Sequence, residues 1–173
     1  MIKVVHQNLF TFDVDAIVNS ANVSLLAGSG ICGVIHKHAG KALEDYCKTL
    51  GKQEYGSAVI SPSFKLSAVC DYIIHACGPR YLDGNRGEAE LLARTHTAII
   101  NVAIENNLSS IVIPPISTGV YRFPADQAAK IAIDSVATAL ANSNVDMDVY
   151  FAMKEVEKYQ VYHDALLKHQ FFD

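Results

Sequence analysis

Six short apolar segments rich in Val and Ile, most of them separated by stretches with helical periodicity, constrain this chain more than any other feature. They are "IKVV" (2–5), "DAIVNS" (15–20), "GSAVISP" (56–62), "CDYIIHAC" (70–77), "SSIVIPPIS" (109–117) and "MDVYFAM" (147–153). Short β-branched runs bounded by turn residues read as buried strands. Residues 31–50 read as helix with a break near Gly40. From Gly87 to Asn107, Leu91, Leu92, Thr95, Ile99, Val102 and Ala103 recur at helical spacing. Pro124 opens a further helix with Ala128, Ile131, Ala132, Val136 and Leu140 on its inner face, and residues 155–170 form the last. Strands separated by helices imply an α/β protein with a mostly parallel sheet covered on both faces. Ligands of such sheets bind beyond the carboxyl ends of the strands. With no linker, repeat or low-complexity segment, residues 1–173 are expected to form one domain.

Composition excludes several classes of partner. The net charge is −4 and the pI near 5.9, which disfavours a nucleic-acid backbone as ligand. No apolar run is long enough to cross a bilayer, and the start "MIKVVHQNLF" lacks a signal-peptide core, so a cytoplasmic protein with no membrane partner is expected. Cys32, Cys47, Cys70 and Cys77 form no CxxC pair and are expected to be reduced. The seven histidines show no metal-ligand spacing; His75 and Cys77 share a strand face but are too few for a closed site. Neither a metal nor a cofactor is implied.

The chemistry concentrates where strands end. "VDAIVNSANVSLLAGSGICG" (14–33) runs from a core strand into two asparagines, three glycines and a cysteine. Glycines there let backbone N–H groups approach a ligand, and a helix starting near Ile31 adds its positive end. This is an anion cradle or, read blandly, a strand-to-helix turn; no Walker GK[ST] follows. A second loop, "PPISTGVYRFP" (114–124), also joins a strand to a helix. Ser117, Thr118, Gly119 and Val120 can offer N–H groups and hydroxyls, and Tyr121 can stack on a sugar. Two such loops suggest a diphosphate held between them.

The segments "VDAIVNSAN" (14–22), "GSGICGVIHKHAG" (28–40), "YIIHACGP" (72–79) and "ISTGVYRFP" (116–124) resemble the macro domain family, most closely its MacroD-type branch, over essentially the whole chain. The resemblance implies a three-layer α/β/α sandwich around a mixed, mostly parallel sheet, with ADP-ribose and its derivatives as ligands. Many members hydrolyse ADP-ribose from modified protein acidic side chains or deacetylate O-acetyl-ADP-ribose; others only bind. Carried over, Asn8 would accept a hydrogen bond from the adenine amino group in place of the usual Asp, and the Leu9 N–H would meet the ring. Asn22 would bond the distal ribose. Gly28, Ser29, Gly30 and Ile31 would line one side of the diphosphate, with Ser117, Thr118, Gly119, Val120 and Tyr121 on the other. Asn19 would hold the loop through backbone hydrogen bonds.

Three positions depart from the branch. Cys32 stands where an Asp usually orients the attacking water; alphavirus macro domains resemble this chain in having Cys there and are a hydrolase branch. Arg122 replaces a common Gly, as a phosphate or substrate contact or as a solvated charge. Lys154 lies where an aromatic often stacks on adenine, a role left to Phe151, Met153 or the lysine stem. His36 and His75 read as core residues, His36 hydrogen-bonded, and His38 as surface. The implied activity is an ADP-ribosyl hydrolase or O-acetyl-ADP-ribose deacetylase, with mono-ADP-ribosylated proteins as further partners. Its mechanism is a metal-independent, substrate-assisted water attack in which Asn22 and Cys32 are the candidate catalytic residues. The alternative is a reader that binds ADP-ribose without cleaving it.

Overall fold

Six strands form one sheet in the computed structural model, which describes residues 1–172. They are β1 (Ile2–His6), β2 (Val14–Ser20), β3 (Ala58–Pro62), β4 (Cys70–Ala76), β5 (Ser110–Ile113) and β6 (Asp148–Met153), in the order β1-β6-β5-β2-β4-β3. All neighbours pair in parallel except β3, which runs antiparallel to β4 at the edge. Parallel strands need crossovers, and α3 (Glu88–Glu105) and α4 (Ala125–Ser143) supply them from β4 to β5 and from β5 to β6; α1 (Gly30–Ala39) and α2 (Lys41–Leu50) join β2 to the antiparallel β3, and α5 (Val156–Phe172) closes the chain. The mixed, mostly parallel α/β sheet expected from the sequence is the one found.

Alternation along the strands divides the core between two layers. Ala16, Val18, Ile74, Ile111 and Ile113 face α3, α4 and α5, with Phe151 and Tyr162 among the largest buried side chains there. Ile17, Ile73 and Val112 face α1 and α2 and meet Ile35 and Leu43. Each fully buried side chain of this size contributes about 1.5–3 kcal/mol. On α4, Ala129 and Ile133 join the expected Ala128, Ala132 and Val136 as buried residues, while Ile131 and Leu140 lie half-buried at the margin. The break between α1 and α2 falls at Gly40, whose φ of +90° is open to glycine. Among the described residues no helix is long and apolar enough to cross a membrane.

One carboxylate organises the connection between β4 and α3. Glu88 Oε2 accepts the N–H groups of Leu82, Asp83 and Gly84 at 2.9, 3.1 and 2.9 Å, and its Oε1 accepts that of Arg86 at 2.6 Å. These bonds, led by that from Leu82, hold the carboxyl at about 2, below its usual 4.5. A depressed pKa stabilises the fold fully above the unfolded value and loses that contribution as pH falls through the folded one. Glu88→Gln is therefore expected to lower stability at pH 7 by turning an amide against the N–H cluster. In urea unfolding at stepped pH, the gap between wild type and variant should shrink steadily from pH 4.5 towards 2.

Candidate functional site

A cleft of about 730 Å³ opens across the carboxyl ends of β1, β6, β5 and β2. Parallel strands leave their carboxyl ends on one side, so Asn8, Asn22, Pro114 and Met153 meet there although far apart in sequence. Of the candidate residues, Asn8, Leu9, Asn22, Gly28, Ser29, Gly30, Ile31, Cys32, Ser117, Gly119, Val120 and Tyr121 all line it. Thr118 does not; its hydroxyl is buried in the protein with no hydrogen-bond partner.

The first loop is held from within. Leu25 adopts a left-handed backbone (φ +58°), disfavoured for a leucine, and buries its side chain completely against the α1–α2 layer. At Leu26, the N–H donates to Asn22 Oδ1 at 3.2 Å and the carbonyl accepts from Asn22 Nδ2 at 2.8 Å. Asn22 is thus engaged with its own loop, and keeps one N–H and one lone pair for a ligand. Gly33 is required by packing: a Cβ there would lie 2.3 Å from the Gly28 carbonyl oxygen. Gly30 instead has φ +61° and nothing within 4 Å of an added Cβ. It begins α1, whose N-cap Ser29 makes no side-chain cap and whose first turn carries no acid, so the first-turn N–H groups are left for a ligand.

The second loop turns at Ser117 (φ +67°) and closes through Phe123 N–H to the Ser117 carbonyl at 2.8 Å and Arg122 N–H to the Gly119 carbonyl at 3.0 Å. The Ser117 hydroxyl is buried at the cleft wall without a partner. An added Cβ at Gly78 would lie 2.4 Å from it, so Gly78 makes room for this turn. Tyr121 carries the Arg80 guanidinium 5.3 Å above its ring centre, and its carbonyl accepts the Tyr81 N–H at 2.8 Å. Arg122 is exposed and lies outside the cleft wall.

At the other end, Asn8 caps the 3₁₀ turn Leu9–Thr11, its Oδ1 accepting the Phe10 N–H at 3.0 Å. One lone pair of the oxygen expected to receive adenine is therefore already used. Of the residues expected to cover a base, Met153 and Lys154 line the cleft. Phe151 does not: it packs fully buried between His96 and Tyr162 in the layer under α3, α4 and α5. Gln7, Phe10 and Lys158 also line the cleft and were not singled out from sequence. The signal for Gln7 and Phe10 is their place just past a strand end; Lys158 comes from α5 with no local mark.

A buried polar group lies beneath the first loop. Expected from sequence to hold loop backbone, Asn19 does not: its Nδ2 faces His75 Nδ1 at 3.2 Å and Cys32 Sγ at 3.7 Å. The reason is register: Asn19 and His75 are cross-strand partners in β2 and β4, and both are fully buried. His75 Nε2 lies 2.8 Å from Ser61 Oγ, and burial, followed by the neighbouring His36, holds the imidazole down to about 3 and so neutral. The Cys32 thiol donates to the Leu26 carbonyl at 3.4 Å. His36 is buried as expected but has no hydrogen bond, and burial lowers its pKa. His38 is exposed and stacks on Phe10 at 4.6 Å. All four cysteines are free, and burial pushes Cys47, Cys70 and Cys77 up to about 11, which leaves those three unreactive.

A profile of the Macro domain family matches residues 18–132. A macro domain-containing protein of Chlorobaculum tepidum is 40% identical over 96% of this chain and 95% of its own length. A Salmonella gallinarum protein named O-acetyl-ADP-ribose deacetylase is 39% identical over 93% of this chain and 91% of its own. Among solved structures, an Oceanobacillus iheyensis macrodomain variant with ADP-ribose superposes with a TM-score of 0.90 at 30% identity, covering 98% of this chain and 93% of that one.

The close Gly33–Gly28 contact sets a test of the loop. Gly33→Ala must displace the Gly28 carbonyl, an overpacking cost of about 1–3 kcal/mol. Gly119→Ala, with nothing within 4 Å of the new Cβ, is expected to leave stability unchanged. Urea unfolding of both variants measures the difference.

Proposed function

The chain belongs to the macro domain family, and from that premise and the shape of the cleft we propose that it binds ADP-ribose and hydrolyses its esters. The substrates are O-acetyl-ADP-ribose and ADP-ribose attached to protein acidic side chains. The observation that carries the reading is the uncapped first turn of α1, opening at Gly30 into the cleft that the Ser117–Tyr121 loop also lines. Backbone N–H groups with no side chain in front of them suit a diphosphate. Support also comes from the ADP-ribose complex of the Oceanobacillus iheyensis macrodomain variant and from the deacetylase name of the Salmonella relative.

In this reading the adenosine lies at the Asn8, Leu9 and Met153 end and the distal ribose at Asn22, where the free N–H and lone pair of its amide meet the hydroxyls. A diphosphate oxygen and loop backbone groups hold a water against the acyl carbon. Water adds, the carbon–oxygen ester bond breaks, and ADP-ribose and the carboxylic acid leave. The acceleration comes from positioning and from N–H groups fixed before the reaction begins. Cys32 is placed to brace the loop rather than to attack, because its thiol proton is donated to Leu26 and its sulfur accepts from Asn19. The same observation favours a second reading, a module that binds without cleaving, since no carboxylate stands at position 32 to orient water.

Steady-state release of ADP-ribose from O-acetyl-ADP-ribose separates these readings. Wild type is expected to turn over. Asn22→Ala should lose about 10²-fold in kcat with a smaller change in affinity. Cys32→Ala should retain turnover reduced on the order of tenfold. No release by wild type would leave the binding module, and complete loss in Cys32→Ala with binding intact would make the thiol a nucleophile.

A further inference from the structure

Seven hydrogen bonds run without a gap from the edge strand of the sheet to the side chain of Asn22. Ser61 Oγ donates to the Pro62 carbonyl at 3.1 Å and lies 2.8 Å from His75 Nε2. The Ser61 hydroxyl has one proton, and with it on the Pro62 carbonyl the oxygen accepts from the ring, the arrangement in which Nε2 carries the hydrogen. Nδ1 is then a bare acceptor, which matches the Asn19 amide nitrogen facing it at 3.2 Å. The second hydrogen of that nitrogen points to Cys32 Sγ at 3.7 Å, and the thiol donates to the Leu26 carbonyl at 3.4 Å. Leu26 in turn holds both ends of the Asn22 amide, at 2.8 and 3.2 Å. Each hydrogen in the series has one acceptor and each link fixes the sense of the next, while Asn19 Oδ1 is buried without a partner. Ser61, His75 and Asn19 are fully or almost fully buried, so water does not compete for these bonds.

We propose that His75 is a positioning residue: its Nε2–H tautomer, set by Ser61, orients Asn19 and through Cys32 and Leu26 fixes the rotamer of Asn22 at the cleft. None of Ser61, His75 or Asn19 lines the cleft, so the effect travels through the chain alone. Had the ring carried its hydrogen on Nδ1, the Asn19 amide would have to turn over. It would then present oxygen to Cys32, and the thiol proton would leave Leu26 for that oxygen. The sulfur is thus a two-way joint, and its orientation records the state of a histidine in the middle of the sheet. The consequence for catalysis rests on the reading of Asn22 as the ribose contact; the chain itself does not.

Two measurements test this. In uniformly ¹⁵N-labelled wild type, the two-bond proton–nitrogen correlations of the His75 ring should report hydrogen on Nε2; hydrogen on Nδ1 overturns the proposal, with no variant needed. Ser61→Ala should shift the Asn22 side-chain amide resonances and lower kcat on the order of tenfold while KM changes little. Ser61→Thr, which keeps the hydroxyl, should restore both. Because the effect passes through Cys32, adding Ser61→Ala to Cys32→Ala should cost nothing further. An unmoved Asn22 amide in Ser61→Ala, or losses that multiply in the double variant, would overturn the chain. If wild type shows no turnover, the hydrolase reading fails while the ring tautomer and the Asn22 resonances still decide the chain.

Discussion

The cleft depends on one leucine held in a backbone conformation it would not choose. Leu25 sits at φ +58°, where its Cβ crowds the backbone, at a cost of about 1–2 kcal/mol. Burial of the whole side chain against Ile35 and Leu43 offsets this. With Leu25 anchored, the chain reverses and places Leu26 where Asn22 can clasp both of its backbone groups. The Gly28 carbonyl then settles against Gly33, and α1 starts uncapped with Gly30, Ile31 and Cys32 at the cleft wall. Without this anchor the loop has no strand partner along residues 24–29 to keep that shape.

In the proposed function an acidic chain holds a diphosphate because the cradle is made of backbone rather than of cations. Net charge sets long-range attraction, whereas N–H groups at a helix start act within a few ångströms. Gly30 and Gly119 leave open space where a side chain would otherwise stand. The spare hydrogen-bonding capacity of Asn22 adds a polar group at the cleft wall.

The strands and helices were legible because each follows a local period, and the break at Gly40 because a glycine interrupts a helical pattern. The two loops were legible because glycines cluster where strands end. What the chain did not disclose locally is pairing between distant segments. Asn19, read as a strand residue that holds the following loop, instead turns to His75, its partner across β2 and β4. Phe151 and Met153 share a face of β6 and both are buried, and local pattern did not tell that only Met153, at the strand end, also reaches the cleft. Thr118 was grouped with its neighbours by motif, but a left-handed Ser117 turns the backbone just before it. Lys158 reaches the cleft only because α5 packs beside β1.

The central claim is that one cleft holds adenosine at one end, diphosphate between two loops and a second ribose at Asn22. Isothermal titration of the wild-type protein with ADP-ribose and with AMP tests it most directly. Only ADP-ribose reaches both loops and Asn22, so its affinity should exceed that of AMP by on the order of 10²-fold or more, since each 1.4 kcal/mol of added contact is tenfold. Equal affinities for the two ligands would contradict the account.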